Sequence, residues 1–204
     1  VQGIVSALIY DPGHCNHGVY VVYRHQEEPD DEGSTDVVVL DGYADRVIHL
    51  NGTTTLRLAI EAAGVLGRTS RTLTYNARDQ VKVASLGLVG QATLGLFDHR
   101  LQVHGRLAFA SGDGDSNDDW SHAFSFDRNF DNGSVLFDQV LGSVNLGSWA
   151  LVSDPGNSGQ PPRGAEALAN EGAAGSVFFL QPILQGKPLP FLDLKAGAMV
   201  ALST

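Results

Sequence analysis

The sequence predicts an all-β protein, an antiparallel transmembrane up-and-down β-barrel. Three observations predict this fold. Apolar and polar residues alternate with a period of two over several runs, which places them on opposite faces of β-strands. The runs have the length of about 9–11 residues at which a tilted strand crosses a bilayer. Short links alternate with long ones between the runs, as turns and loops do at the two ends of such a barrel.

About eight strands are expected, each longer than the ~5–6 residues common in soluble proteins. The run from Thr54 to Gly64 shows the alternation, since Leu56 and Leu58 fall on one face while Arg57 and Glu61 fall on the other. In chain order the expected strands are Val1 to Asp11, Gly18 to Gln26, Asp36 to Leu50, Thr54 to Gly64, Lys82 to Phe97, Leu101 to Ser111, Ser176 to Gln185 and Leu192 to Leu202.

The links between these strands predict how they are connected. Asn51-Gly52 predicts a two-residue hairpin of type I′, because both residue types tolerate the positive φ of that turn. We interpret residues 1–204 as a single β-barrel domain with a long extracellular loop at 112–175. The short links are Pro12 to His17, Asn51 to Thr53, Asp98 to Arg100 and Gly186 to Pro190, and the long ones are Glu27 to Thr35, Thr69 to Gln80 and Gly112 to Gly175.

Composition excludes several classes of protein. The formal net charge of −10 and the lack of a basic cluster argue against nucleic acid as a partner. Cys15 is the only cysteine, which rules out an intrachain disulfide. No stretch has the roughly 18 apolar residues of a membrane-spanning helix. The sequence contains neither a nucleophile elbow nor a glycine-rich phosphate loop, and we expect no enzymatic activity.

Charged side chains on the less apolar strand faces are expected to line a lumen, because a lipid-facing Arg or Lys near the midplane costs about 2–4 kcal/mol. Lys82 shares the parity of Leu86 and faces inward only if a bulge intervenes; at a strand end it would instead reach the membrane interface. The set provides either a solute path with both signs of charge or a network that fills a narrow barrel. Its members are Arg57, Glu61, Lys82, His104, Arg106 and Lys195.

Acidic residues recur at every second position near the start of the longest link. Asp113, Asp115, Asn117 and Asp119 offer the oxygen ligands that calcium prefers. The spacing is not that of an EF-hand, which would have Gly in place of Asp118 and Glu in place of Phe124. The pattern is typical of either a bound Ca²⁺ or a solvated acidic loop, and no other cofactor is expected.

The same region carries a resemblance to a known family. Ser111-Gly112-Asp113 is followed by more acidic residues up to Asp119 and then by the aromatic-containing segment Phe124 to Phe130. It resembles outer-membrane porins of the alginate-export type. The resemblance implies a many-stranded barrel of the Gram-negative outer membrane that passes a polar or anionic solute. The chain ends at Thr204 without the terminal aromatic residue of such barrels, and we expect it to be part of a larger one.

The sequence therefore favours a channel in the bacterial cell outer membrane, with membrane lipid and a small polar or anionic solute as its partners. One alternative is a surface barrel that transports nothing and has a structural or adhesive role through Gly112 to Gly175. Another is a soluble β-sandwich that binds a ligand, which would have to expose an unusually large apolar surface. The short helix expected within Gly133 to Gly147 would cover the barrel mouth or fold into it.

Overall fold

A computed structural model describes residues 2–11, 15–27, 33–70, 80–115, 118–127 and 175–204. These residues form strands, turns and extended segments, and none of them is helical. The strands are β1 (Gln2–Asp11), β2 (Cys15–Glu27), β3 (Ser34–Asn51), β4 (Thr54–Thr69), β5 (Val81–Leu96), β6 (Leu101–Ala110), β7 (Trp120–Ser121), β8 (Val177–Leu189), β9 (Leu192–Gly197) and β10 (Val200–Ser203).

All ten strands belong to one sheet. From β1 to β6 each strand pairs antiparallel with the next one in sequence, and β6 pairs with β8. The far side of β8 pairs with β9 along one part and with β10 along another, which makes these two short strands one interrupted strand. The two-residue β7 runs parallel to β5. The predicted antiparallel up-and-down architecture is confirmed.

Each of the eight expected strands coincides with an observed strand, the eighth being β9 and β10 together. Strands β1 to β6 and β8 have 10 to 18 residues. The sheet is not closed into a barrel by the strands that the structure describes. Its two edges are β1, which pairs only with β2, and the strand formed by β9 and β10, which pairs only with β8.

The predicted hairpin at Asn51-Gly52 is present, but its predicted turn type is wrong. Neither residue has the positive φ that a type I′ turn requires. Instead the Asn51 side-chain oxygen accepts a hydrogen bond from the backbone N of Thr53 at 3.0 Å. The register also shifts between His49 and Asn51. The asparagine side chain thus stabilises the turn with ordinary backbone angles.

Continuous register gives the sheet two chemically different faces. The apolar face is the one that carries Leu58 of β4, and the polar face is the one that carries Arg57. The large side chains of the apolar face are exposed: they include Val5, Val19, Leu40, Leu58, Ile60, Leu66, Leu86, Val103, Leu107, Leu180, Leu184, Leu194, Val200 and Leu202. The small buried core lies on the polar face, at the strand ends next to the long connections; its members are Ala108, Ala110, Phe126, Val177 and Phe179.

Candidate functional site

The polar face carries a row of hydrogen-bonding side chains across six neighbouring strands. The row follows directly from the register, because residues opposite one another in antiparallel strands share a face. Five of its six side chains are polar, and the sixth is that of Ala59. From β2 to β8 the row consists of Asn16, Asp45, Ala59, Gln91, Arg106 and Gln181.

An ion pair crosses this row between β3 and β4. The guanidinium of Arg57 donates from Nε to Oδ1 of Asp45 at 3.0 Å and from Nη2 to Oδ2 at 2.7 Å. Asp45 is only 6% exposed, so its carboxylate depends on this two-pronged contact to replace water. The small side chain of Ala59, directly opposite Asp45, leaves room for Arg57 to reach along the face.

A second polar contact lies between β5 and β6, at the level of Arg57 and nearer the short turns than the row that contains Asp45 and Gln91. Thr93 is opposite both Arg57 and His104, and its Oγ1 lies 3.0 Å from Nδ1 of His104. Nε2 of His104 is buried and has no hydrogen-bond partner among the described residues. Together with the ion pair, this contact makes the middle of the polar face a network of both charge signs.

Two carboxylates lie further towards the long connections. Asp41 is opposite Tyr20, and Glu61 is opposite Tyr43. Asp41 is 7% exposed. Asp41, Glu61 and Tyr20 line one side of a cavity of about 320 Å³. The polar face therefore carries both signs of charge near the middle of its strands, with Asp41 and Glu61 on one side of the Asp45–Arg57 pair.

The other side of this cavity is formed by the segment 122–127, which follows β7. Ser111 anchors the segment: its backbone N donates to the oxygen of Leu86 at 2.9 Å, and its backbone oxygen accepts from the N of Phe124 at 2.8 Å. The ring of Phe124 lies over Gly87, where a Cβ would come within 2.2 Å of it. Phe126 is buried in the core beside Phe179.

The long connection thus folds partly onto the polar face, as far as the structure describes it. Phe124 and Phe126 are in edge-to-face contact, with ring centres 5.6 Å apart. An isolated bridge between Ser125 and Gly175 ties this segment to the chain just before β8. The helix predicted within Gly133 to Gly147 lies outside the described residues.

Most of the residues predicted to line a lumen share the polar face. Arg57 and Glu61 do so in β4, His104 and Arg106 do so in β6 on the other side of β5, and Lys195 of β9 does so opposite Gln185 of β8. Whether they line a lumen stays a prediction.

Lys82 lies on the apolar face. The register between β4 and β5 is unbroken, so no bulge turns Lys82 away from the face of Leu86. Its ammonium instead lies 5.1 Å from the centre of the Trp120 ring.

Sequence reasoning missed Asp41 and Asp45, which are the most buried carboxylates of the polar face. The alternation within β3 could have found them, because Val39, Asp41 and Asp45 share one parity and apolar residues fill most of the other. Arg46 interrupts the apolar parity and obscures the pattern.

The acidic loop shows turn contacts. The Asp113 carboxylate accepts from the N of Asp115 at 3.3 Å, and the Asp118 carboxylate accepts from the N of Trp120 at 2.8 Å. Within the described part of the chain, no group of three or more His, Cys, Asp or Glu side chains is placed to hold a metal. Asn117 lies outside that part, and the Ca²⁺ site at 113–119 stays a prediction.

A row of polar and aromatic side chains bounds the apolar face on the side of the long connections. Its members are direct cross-strand neighbours from β2 to β7: His25, Asp36, Arg68, Lys82 and Trp120. Trp120 also stacks on His122, with ring centres 5.8 Å apart. Between this row and the short turn, β4 presents only apolar residues on this face, from Leu66 to Leu56.

Among the described residues, no helix is long and apolar enough to cross a membrane. No protein-family model matches this chain, and a search of curated proteins finds no match either. The function is therefore inferred from the two faces of the sheet.

Proposed function

We propose that the chain forms the wall of an outer-membrane β-barrel and that its polar face lines a path for passive diffusion of a small polar solute. The apolar face carries this proposal. It presents exposed large apolar side chains on strand after strand, on the side of the sheet opposite the charged network. A soluble protein rarely leaves so large an apolar surface in water, whereas lipid covers such a surface without cost.

The dimensions of the apolar face support this proposal. From Leu66 to Leu56 of β4 the strand rises by about 33 Å, at ~3.3 Å per residue. At a tilt of about 40° the vertical extent is about 25 Å, the height of the apolar band of outer-membrane barrels. Arg68, Lys82 and Trp120 then lie where headgroups and aromatic girdles are found.

A membrane location requires both sheet edges to be paired, because unpaired backbone groups are costly in lipid. In this proposal β1 pairs either with the strand formed by β9 and β10 or with further strands of a larger barrel. The resemblance to alginate-export porins favours the larger barrel. A path for solute also favours it, since about 16 strands are needed for an aqueous channel and eight strands leave an interior filled by side chains.

The charges of the polar face favour a polar solute over an anionic one. Asp41 and Glu61 lie near the middle of β3 and β4, in the wall of the cavity on the polar face, and would repel an anion there. Arg57 is neutralised by Asp45, so it offers little net positive charge to attract one.

A non-transporting barrel is the second candidate, and a specific observation favours it. Phe124, Phe126 and Phe179 occupy the polar face next to the long connections. If the rest of the interior is similarly filled, no solute passes, and the long connection would serve an adhesive or structural role.

Reconstitution separates these proposals. We expect the chain to need detergent for solubility and to give discrete conductance steps in planar bilayers. Glu61→Gln should shift the permeability ratio towards anions, while Glu27→Gln, at the end of β2, should change it little. A stable monomer in plain buffer would overturn the membrane assignment. Correct insertion without conductance would overturn solute passage and favour the non-transporting barrel.

A further inference from the structure

The apolar face contains a groove of about 450 Å³ that the proposed path for solute does not use. Its floor is made of small residues on three strands, Ala44 of β3, Gly90 and Ala92 of β5, and Gly105 of β6. Between β3 and β5, β4 contributes the larger Leu58 and Ile60 to the lining. Larger apolar side chains such as Leu58 and Leu107 stand beside it. A Cβ built on Gly105 would meet no atom within 4 Å, which shows that the floor is open above this residue.

Arg46 lies in the lining of the same groove and is the charge that interrupts the apolar parity of β3. Its side chain is exposed, and it makes no hydrogen bond or ion pair with the other residues that the structure describes. A guanidinium on a lipid-facing surface is costly unless a counter-charge meets it. The groove thus combines a long apolar floor with one cation that lacks an anion.

We propose that this groove binds an anionic phospholipid, with one acyl chain along the floor and the phosphate group on Arg46. This inference rests on the proposed membrane location. The guanidinium fork matches the oxygens of a phosphate in a two-pronged contact. Arg46 lies opposite Cys15, the first residue of β2, and opposite Leu58 near the short-turn edge of the apolar band. From this position its long side chain would reach the headgroup level beyond the end of β2.

The length of the groove fits this occupant. It extends from Ala44 in β3 to Leu180 in β8, across four spacings between neighbouring strands. At about 4.8 Å per spacing the groove is about 19 Å long, close to the length of an extended acyl chain. The chain would leave the headgroup level at Arg46 and run obliquely towards the middle of the bilayer.

A second copy of the protein fits the groove less well. Its apolar face would need to bring a carboxylate to Arg46. On that face the register places Glu27 and Asp36 at the opposite end of the strands, and Asp11 at the near end of the edge strand β1. Of the described strands in a second copy, only β1 at the sheet edge could therefore bring a carboxylate to Arg46. A lipid phosphate supplies the missing charge together with the apolar chain.

Native mass spectrometry tests this inference. The refolded chain in detergent is titrated with palmitoyl-oleoyl phosphatidylglycerol, and the fraction of chains that keep one lipid is measured. We expect Arg46→Gln to remove the phosphate contact and Gly105→Leu to fill the floor, each weakening lipid retention about tenfold. The matched controls are Arg68→Gln, which removes a charge at the other edge of the band, and Ala62→Leu, which enlarges a residue outside the groove. Both should retain lipid as the unaltered chain does.

Circular dichroism and bilayer insertion show first that each variant is folded. Equal retention by Arg46→Gln and the unaltered chain would overturn the inference, as would a protein dimer in place of the lipid adduct. Displacement of the lipid by millimolar inorganic phosphate alone would show a free-phosphate site and would also overturn it. If the unaltered chain inserts and conducts but retains no lipid, only this inference fails. If it does not insert, the proposed function fails with it.

Discussion

The two halves of the polar face differ, although the same strands build both. Next to the long connections, Phe126 and Phe179 form a small dry core with the alanines of β6. Towards the short turns, the face carries Arg57, Thr93 and His104 in a polar network. The difference arises from the segment 122–127, which packs on one half only. A connection between strands thus completes a core whose other members belong to β6 and β8.

Truncating Phe126, whose ring fills the core, should have the largest effect on the difference between the two halves of the polar face. Phe126→Ala leaves a cavity in the core, and we expect the free energy of unfolding to fall by about 3 kcal/mol. Denaturant titration in detergent measures the loss. The control is Phe178→Ala on the apolar face, where the ring is half-buried and the expected loss is smaller. Equal losses in both variants would show that Phe126 stabilises the sheet no more than a half-buried ring of the apolar face does.

The close approach of Phe124 to Gly87 offers a second way to disturb the packing of the filled half of the polar face. Gly87→Ala places a methyl group where the ring lies, so the segment must shift, at a cost of about 1–3 kcal/mol. Gly42→Ala is the matched control, because a Cβ there meets nothing within 4 Å. In a conducting barrel, Gly87→Ala should also raise the single-channel conductance, since it loosens the segment. An unchanged denaturation midpoint would contradict the packing of Phe124 described above.

How far the sequence predicts this fold depends on the range of the interactions involved. The alternation within Thr54 to Gly64 is local, and it correctly predicts a strand and its two faces. The core that contains both Phe126 and Phe179 joins parts of the chain that are distant in sequence, and no local pattern indicates it. The turn at Asn51 was predicted with the wrong type, because the Asn side chain, and not its backbone angle, makes the stabilising contact.

How far the sequence predicts the candidate site also depends on the range of the interactions involved. Parity correctly groups Arg57, Glu61, His104 and Arg106 on one face, since parity is a local property. It does not show which acid pairs with Arg57, because that depends on the register between β3 and β4 and on the small size of Ala59.

On the polar half of the face, breaking the Arg57–Asp45 ion pair should lower the free energy of unfolding by less than Phe126→Ala does. Arg57→Gln leaves the buried Asp45 carboxylate without its cation, and we expect a loss of about 1–3 kcal/mol in the free energy of unfolding. Asp45→Asn removes the same contact from the other side. In the double variant the two losses should not add, because each single change already breaks the contact. The coupling energy from this cycle, measured by denaturant titration, distinguishes a real pair from two independent side chains. Full additivity would mean that Arg57 and Asp45 stabilise the sheet separately and that their contact contributes nothing to its stability.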